Sequence, residues 1–394
     1  MKMMQNKQTN QKSSSLTLKH APLGVRIFFF AAVLILPFIL QVFGNAWVRI
    51  ADFALLYVLL ALGLNIVVGY AGLLDLGYVA FFAVGAYMYA LLSSPQLTNA
   101  FPWIAALFPD GLHTPLYIAI PLSALLAGLF GLVLGAPTLK LRGDYLAIVT
   151  LGFGEIIRVF INNLDRPVNI TNGPKGIGEI DPFSVMGVPL SRKLDLGFTE
   201  IPSVTLYYYL FIVLVGFSIL ICSRLEHSRI GRAWMAIRED EVAAKAMGVN
   251  TRNLKLTAFG MGATFGGVSG AMFASFQSFV SPESFSLTES VMIVAMVVLG
   301  GIGYLPGVVL GALLLAALPE VLRYVAGPLQ EMTGGRLDAA ILRQLLIALA
   351  MVSVMLLRPR GLWPSPDHSE QDQISNDDDI VERAKVVTAG VTDA

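Results

Sequence analysis

The sequence predicts an all-α integral membrane protein with about ten transmembrane helices, both termini cytoplasmic, and two short cytoplasmic helices between spans six and seven. Three observations carry this. Of 394 residues, 55% are hydrophobic and only 14% charged, where soluble domains hold roughly a quarter charged residues. The mean hydropathy is +0.69. Finally, the apolar residues gather into runs and the lysines and arginines collect in alternate gaps between them, as they do in cytoplasmic loops. The formal charge balances at 27 against 27, so no basic surface argues for nucleic acid.

A bilayer core takes on the order of 20 mostly apolar residues. Spans are expected at about 25–43, 52–69, 73–92, 116–136, 145–161, 204–222, 256–276, 287–299, 305–322 and 339–357. The first follows a polar tail, 1–24, and lacks the small-residue cleavage pattern of a signal peptide, so it counts as a span. Glycines join the second and third with no polar loop between them. Cys222, in the sixth, is the single cysteine, which excludes an intrachain disulfide. The eighth is short and runs into Gly300, Gly301 and Gly303, the pattern of a partial or broken helix. Lys2, Lys7, Lys12, Lys19 and Arg26 precede the first span, Lys140 and Arg142 follow the fourth, and Arg358 and Arg360 follow the tenth. The opposite loop from 92 to 116 has no lysine or arginine, although the one from 162 to 203 has Arg166, Lys175, Arg192 and Lys193. The membrane domain is therefore 25–362, followed by a polar tail, 363–394, that carries Asp377, Asp378 and Asp379 and lacks the apolar content to fold.

The most charged interior segment, 224–255, is expected in water. Ile230, Ala233, Trp234 and Ile237 fall at i, i+3, i+4 and i+7, an apolar stripe opposite Arg229, Arg232 and Glu239. A second short helix is signalled by Asp240 as its cap, a Glu241–Lys245 pair at i,i+4, and Gly248 at the C′ position. Such helices suit docking onto another protein; the alternative is an interfacial loop whose stripe rests on headgroups.

Candidate transport residues cluster at two glycine turns. The first holds Gly69, Gly72, Asp75 and Gly77, where irregular backbone would line a transport route or, alternatively, an ordinary turn would serve tight packing. Asp75 is either a functional carboxylate or a cap for the third span. Asn65 can hydrogen-bond across helices. In the second turn, Gly303, Gly307 and Gly311 are spaced to lie on one helical face. Glu155, near the middle of the fifth span, can pair with Arg158 three residues on, as a structural ion pair or a pathway element. No GK[ST] phosphate loop, G-x-S-x-G or H-E-x-x-H occurs, and the four histidines are far apart, so the sequence offers no catalytic residue, cofactor or metal site.

Four segments together resemble one family: NIVVGYAGLLDLGYVAFFAVGAY from Asn65, LKLRGDYLAIVTLGFGEIIR from Leu139, GRAWMAIREDEVAAKAMGVN from Gly231 and VVLGGIGYLPGVVLGA from Val297. They are similar, in the same order, to the LivM-type permease subunits of branched-chain amino acid ABC importers. The resemblance implies a subunit of a bacterial inner-membrane importer for leucine, isoleucine or valine. Its partners would be a homologous second permease, two cytoplasmic ATPases that hydrolyse the ATP, an external solute-binding protein and membrane lipid. It also implies that Arg238, Glu239, Asp240, Glu241, Ala243, Ala244 and Gly248 couple to an ATPase, and that the glycine turns, with Gly300, Gly301 and Gly303, belong to the pathway. The external loop departs from the family pattern at Asn172, where glycine is expected, and at Lys175, where asparagine is common.

Two alternatives stand beside this. One is a permease of the same family for urea or short amides, which Leu74-Asp75-Leu76-Gly77-Tyr78 argues against. The other is an ion-coupled secondary transporter using Asp75 or Glu155, which leaves the two amphipathic helices without a role.

Overall fold

Each apolar run expected to span becomes helix in the computed structural model, which describes residues 23–109, 111–138, 141, 143–185, 188–190, 194–195, 200–332, 339–357 and 361–363. Residues 1–22 and 364–394 of the two expected tails lie outside the described residues, as do Lys140, Arg142, Arg192, Lys193, Arg358 and Arg360. The chain divides into two units. In one, residues 1–44 and 365–394, the described element is helix α1 (Leu23–Val42), apolar throughout most of its length and containing Pro37.

The other unit, residues 45–364, begins with α2 (Asn45–Asn65), which widens into a π-helical turn at Ile66–Tyr70 and then stops. An extended stretch leads to α3 (Val79–Leu92), six residues later than the expected start of the third span at 73. Two short helices unannounced by periodicity, α4 (Gln96–Ala100) and α5 (Pro102–Leu107), fill the next connection. Then come α6 (Leu116–Thr138) and α7 (Asp144–Asn162). The long loop after α7 carries two antiparallel pairs of two-residue strands, β1 (Ser184–Val185) with β2 (Val188–Pro189) and β3 (Leu194–Asp195) with β4 (Glu200–Ile201). After α8 (Ser203–Glu226) follow the short α9 (Arg229–Glu239) and α10 (Glu241–Ala246), and then α11 (Thr251–Gln277), α12 (Leu287–Gly300), α13 (Leu305–Met332) and α14 (Ala339–Leu357).

Among the described residues, four helical stretches are long and apolar enough by themselves to cross a membrane: Asn45–Tyr70, Leu116–Thr138, Ser203–Glu226 and Leu305–Arg323. Helices α3 and α12 have 14 residues each. At about 1.5 Å per residue that is roughly 21 Å, well short of a hydrocarbon core of about 30 Å. The shortness expected of the eighth span is thus real, and α3 shares it.

Helix α11 is the hub, packing on α2, α3 and α6. Its sequence is rich in small residues, and Ala258, Gly262, Ala263, Gly266, Gly267, Gly270, Ala271 and Ala274 are all buried. Lipid is as apolar as leucine, so helices inside it are held by close backbone approach and dispersion, not by expulsion of water. At Gly270 a Cβ would land on the Phe82 carbonyl oxygen and 2.5 Å from the Ala86 nitrogen. At Gly131 it would meet Ala263 Cβ at 2.5 Å.

The connections collect at two ends. At one, Asn163 closes α7, Asp181 N–H donates to Ser93 O (2.7 Å), Ile177 and Val280 exchange backbone hydrogen bonds, and Arg49 donates to Gln277. Here Asn172, the departure from the family's glycine, has φ +62°, a left-handed conformation that asparagine tolerates. Its amide also donates to Gly176 O (2.8 Å), a bond a glycine could not make. Lys175 is exposed on the same turn. The other end holds the π-turn, the α9–α10 pair and the turn after α12, where Leu362 N–H donates to Leu299 O (2.8 Å).

A test of the hub follows from its geometry. Gly270→Ala should lower the thermal unfolding midpoint in detergent, by an amount corresponding to about 1–3 kcal/mol of overpacking. Gly152→Ala, where a Cβ meets nothing within 4 Å, should leave it unchanged or raise it slightly. Equal midpoints for the two variants would refute close packing at Gly270.

Candidate functional site

The site is built around the break between α2 and α3. Once the helix stops at Tyr70, the backbone groups of residues 71–78 and the last carbonyls of the π-turn have no regular partners, and an apolar body offers no water to replace them. Several of them find named neighbours. Ala71 N–H and Leu73 N–H turn back to Ile66 O (3.3 Å) and Val67 O (3.0 Å). Leu76 N–H donates to Thr150 Oγ1 of α7 (3.1 Å), and Leu76 O accepts from Ser290 Oγ of α12 (2.5 Å). Gly77 N–H donates to Asp75 Oδ1 (2.8 Å).

Asp75 is therefore not the N-cap of α3, whose cap position is Tyr78. It closes an Asx-type turn two residues ahead, fully buried. Its other oxygen, Oδ2, makes no hydrogen bond to the described residues, and the side chain borders a void of about 10 Å³ shared with Thr150, Leu134 and Phe259. That is about the room one water needs.

The second glycine turn meets the first. Gly303 N–H donates to Asn65 Oδ1 (2.9 Å), which is the cross-helix bond expected of Asn65. A Cβ on Gly69 would land on that same oxygen and 2.8 Å from the Gly303 nitrogen. Gly303 itself, at φ +83°, lies in the turn and not on the helix stripe expected of it. Gly307 and Gly311 do face α12, a Cβ on Gly311 coming 2.5 Å from Met296 O and 2.6 Å from Gly300 Cα. Gly301, at φ +118°, ends α12.

Arg238 closes the site. It stands near the end of α9 and its Nη1 donates to Gly69 O at 2.6 Å. It also fills the space that side chains at Gly72 and Gly303 would take: a Cβ there would come 2.8 Å from Arg238 Cγ and 2.7 Å from its Nη1, respectively. The last carbonyls of a helix are orphaned and carry its negative dipole end, so a guanidinium is a fitting partner. A hydrogen bond of this charged kind contributes about 1.5–3 kcal/mol. Residues expected in two separate groups, coupling and pathway, are thus in contact.

Helices α9 and α10 form a firm corner. Trp234 is fully buried and donates Nε1 to Leu254 O (2.7 Å), while Ile237 packs beside it. Ile230, expected on the same stripe, is 38% exposed, because Gly231 takes the tight place against Leu225 and Glu226. Asp240 accepts from Val242 N–H (2.7 Å) and Ala243 N–H (3.0 Å), the expected cap. These two bonds hold the Asp240 carboxyl below the usual carboxylate range. Gly248, at φ +85°, ends α10 as expected, with Gly248 N–H to Lys245 O and Val249 N–H to Ala244 O, both 3.1 Å. Glu241 pairs with Lys255 of α11 at 2.7 Å, not with Lys245 one turn along, since α10 lies against α11 and only Lys255 is on that side. Ala244 is buried against the body, whereas Glu239, Asp240, Ala243, Val242 and Met247 face outward. A cavity of about 430 Å³ opens between this corner, residues 71–74 and Asp144.

Glu155 and Arg158 do pair (3.0 Å), and Arg158 also comes within 3.7 Å of Glu283 in the loop before α12; both side chains of the pair are about one third exposed. The structure adds groups without a motif: Thr150 and Ser290, which hold the break, Tyr57 donating to Glu289 (2.9 Å), and Asp52, fully buried on α2 with Arg49 on the preceding turn.

Residues 46–355 match the family model described as branched-chain amino acid transport system / permease component. The chain is 39% identical over 352 residues to the high-affinity branched-chain amino acid transport system permease protein LivM of Escherichia coli (strain K12), covering 85% of this chain and 74% of that one. It is 39% identical over 329 residues to LivM of Salmonella typhimurium, covering 80% and 70%. To the permease protein LivH of Salmonella typhimurium it is 23% identical over 315 residues, covering 79% and 92%. No solved structure matches.

Two tests bear on this geometry. Asp75→Asn keeps an oxygen for Gly77 N–H and should cost less than about 1 kcal/mol of stability, against about 1–3 kcal/mol for Asp75→Ala, which leaves that amide unpaired; equal losses measured by denaturant unfolding would show that the charge, not the turn, matters. For Asp240 the sign is that of a depressed carboxyl: the cap's contribution is present above the unfolded carboxylate range and is lost as pH falls through the lower folded one. The protection factors of the Val242 and Ala243 amides, corrected for the intrinsic slowing of exchange in acid, should therefore fall more on acidification than those of other α10 amides, and a uniform response would contradict the cap.

Proposed function

The chain belongs to the branched-chain amino acid transport permease family, and on that footing we propose that it is one permease subunit of an ATP-driven importer that carries leucine, isoleucine and valine across the bacterial cytoplasmic membrane. The observation that carries the coupling side of this reading is the α9–α10 corner. It is firmly built, capped at both ends of α10 and fixed to α11, yet it leaves Val242 64% and Met247 85% exposed. A rigid knob with an apolar tip on a membrane-embedded body suits a protein groove. Its occupant in this proposal is one of two cytoplasmic ATPases, which supply all of the catalysis. A homologous second permease and an external solute-binding protein complete the assembly.

In this proposal the ten helices in series all cross the membrane, α3 and α12 shielded by their neighbours, and both termini are cytoplasmic. The segregation of connections supports it: those after α2, α8 and α12 meet at the end bearing α9 and α10, while those after α3, α7 and α11 meet at the other. ATP-driven closure of the ATPases would move the corner and with it α8 and α11, changing which end of the pathway is open.

The role of Ala244 changes on this view. Because it is buried, a bulky charge there would disturb the corner itself, so the contact with the ATPase is better tested at the tip. Val242→Asp together with Met247→Asp should leave the protein in the membrane at normal levels and reduce ATPase co-purification at least tenfold, a loss of about 1.4 kcal/mol or more. Co-purification at the parental level would remove α10 from the interface. For the transport reading, labelled leucine uptake by cells expressing the chain with its presumed partners should survive a protonophore while ATP is maintained, and should vanish when 238–248 is deleted. Uptake that collapses with the protonophore and ignores the deletion would instead favour an ion-coupled carrier.

A further inference from the structure

We propose that Arg238 is the positioning residue through which movement of the α9–α10 corner reaches the broken helix, as distinct from a residue that touches the ATPase. The proposal rests on the importer reading above. Arg238 is half-buried, whereas Val242 and Met247 at the tip are exposed. Its guanidinium instead holds Gly69 O at 2.6 Å, the carbonyl left without a helical partner where α2 gives way to extended chain.

Three further contacts make Gly69 a place where displacement matters. Asn65, one turn back, holds the turn after α12 through Gly303 N–H. Gly72 and Gly303, both with φ between +60° and +90°, leave room for the arginine stem and head where any side chain would collide. Beyond Gly72 the chain is extended and is held by single hydrogen bonds to Thr150 and Ser290. The corner is fastened to α11 by Trp234 and by Glu241–Lys255, and Arg238 links it to the end of α2 beside the turn after α12. A shift of α9 that α11 follows as a rigid body would therefore load the Arg238–Gly69 bond. Two responses are available to the π-turn: to follow, or to release the carbonyl. Either one changes the conformation of residues 66–78, of which 71–74 border the cavity of about 430 Å³ at that end.

The test uses the complete assembly in proteoliposomes, with this chain, its second permease, both ATPases and the binding protein. Arg238→Ala and Arg238→Gln should assemble normally and hydrolyse ATP, yet spend about tenfold or more ATP per leucine taken up, the effect of losing one charged hydrogen bond. Arg238→Lys, which retains a donor, should recover part of the ratio. To separate transmission from a general loss of packing, a spin label is placed at Lys245→Cys, exposed on α10 outside the Val242–Met247 tip, or at Leu74→Cys in a Cys222→Ser background. With Arg238→Ala, nucleotide should still move the label at 245 and no longer move the one at 74. An unchanged ATP-to-leucine ratio, or nucleotide-driven movement at 74 that persists without the arginine, would overturn the proposal. Failure of the parental assembly to import leucine would be a failure of the functional reading, seen before any variant is made, and the two label positions report on Arg238 independently of the substrate.

Discussion

A helix interrupted inside an apolar body exposes carbonyls and amides that neither lipid nor bulk water can satisfy. Everything distinctive about this protein's lower end answers that constraint at residues 66–78. Four elements supply partners to one short stretch: α7 through Thr150, α9 through Arg238, α12 through Ser290, and the stretch itself through Asp75, while Asn65 just before it holds the turn after α12 through Gly303 N–H. The neutral bonds contribute about 1 kcal/mol each and the charged one from Arg238 about 1.5–3 kcal/mol. Their importance lies in what their absence would cost, because each leaves a buried polar group stranded. The break thus gathers around itself the elements that would otherwise pack independently.

The glycines are the other half of that arrangement. A side chain at Gly77 would overlap the Thr150 carbonyl, and one at Gly69 would displace Asn65. Close approach is what brings donors on neighbouring helices within reach of the broken backbone, and it recurs along α11, where Gly262, Gly267 and Gly270 admit α2, α6 and α3. Small residues therefore do two jobs in one body. Along α11 they maximise dispersion between helices; at the break they let polar groups meet.

Much of this was legible in the residues, and the rest was hidden for identifiable reasons. Apolar runs located the long helices, and local chemistry located α10, because a cap such as Asp240 and a stop such as Gly248 act within a few residues. Asn65 was expected to bond across helices, and it does. What escaped was partner choice over distance. Nothing near Glu241 in the sequence distinguishes Lys245 from Lys255; the choice follows from the side of α10 that lies on α11. Glu155 and Arg158 pair as their spacing allows, but nothing in the sequence brings Glu283 to Arg158. Thr150 and Ser290 belong to no motif, since a hydroxyl on a helix earns its role only when a broken backbone is brought against it. Arg238 was singled out, but as one charge in a coupling group; that it faces inward depends on Trp234 fixing the roll of α9.

That roll is what joins the two ends of the functional argument. With Trp234 held by Leu254 O, the residue four positions on must lie on the same side of α9, and Arg238 is that residue. The tip of α10, by contrast, is turned outward by the Glu241–Lys255 pair, whose lysine is almost fully buried. Burying such a pair adds little net stability, but removing either partner leaves an uncompensated charge, so its value is to fix orientation. One anchor aims a cation at the helix break and the other aims apolar side chains away from the body. A corner oriented by both can be pushed from outside and felt at Gly69, whereas a loop resting on headgroups would need neither anchor.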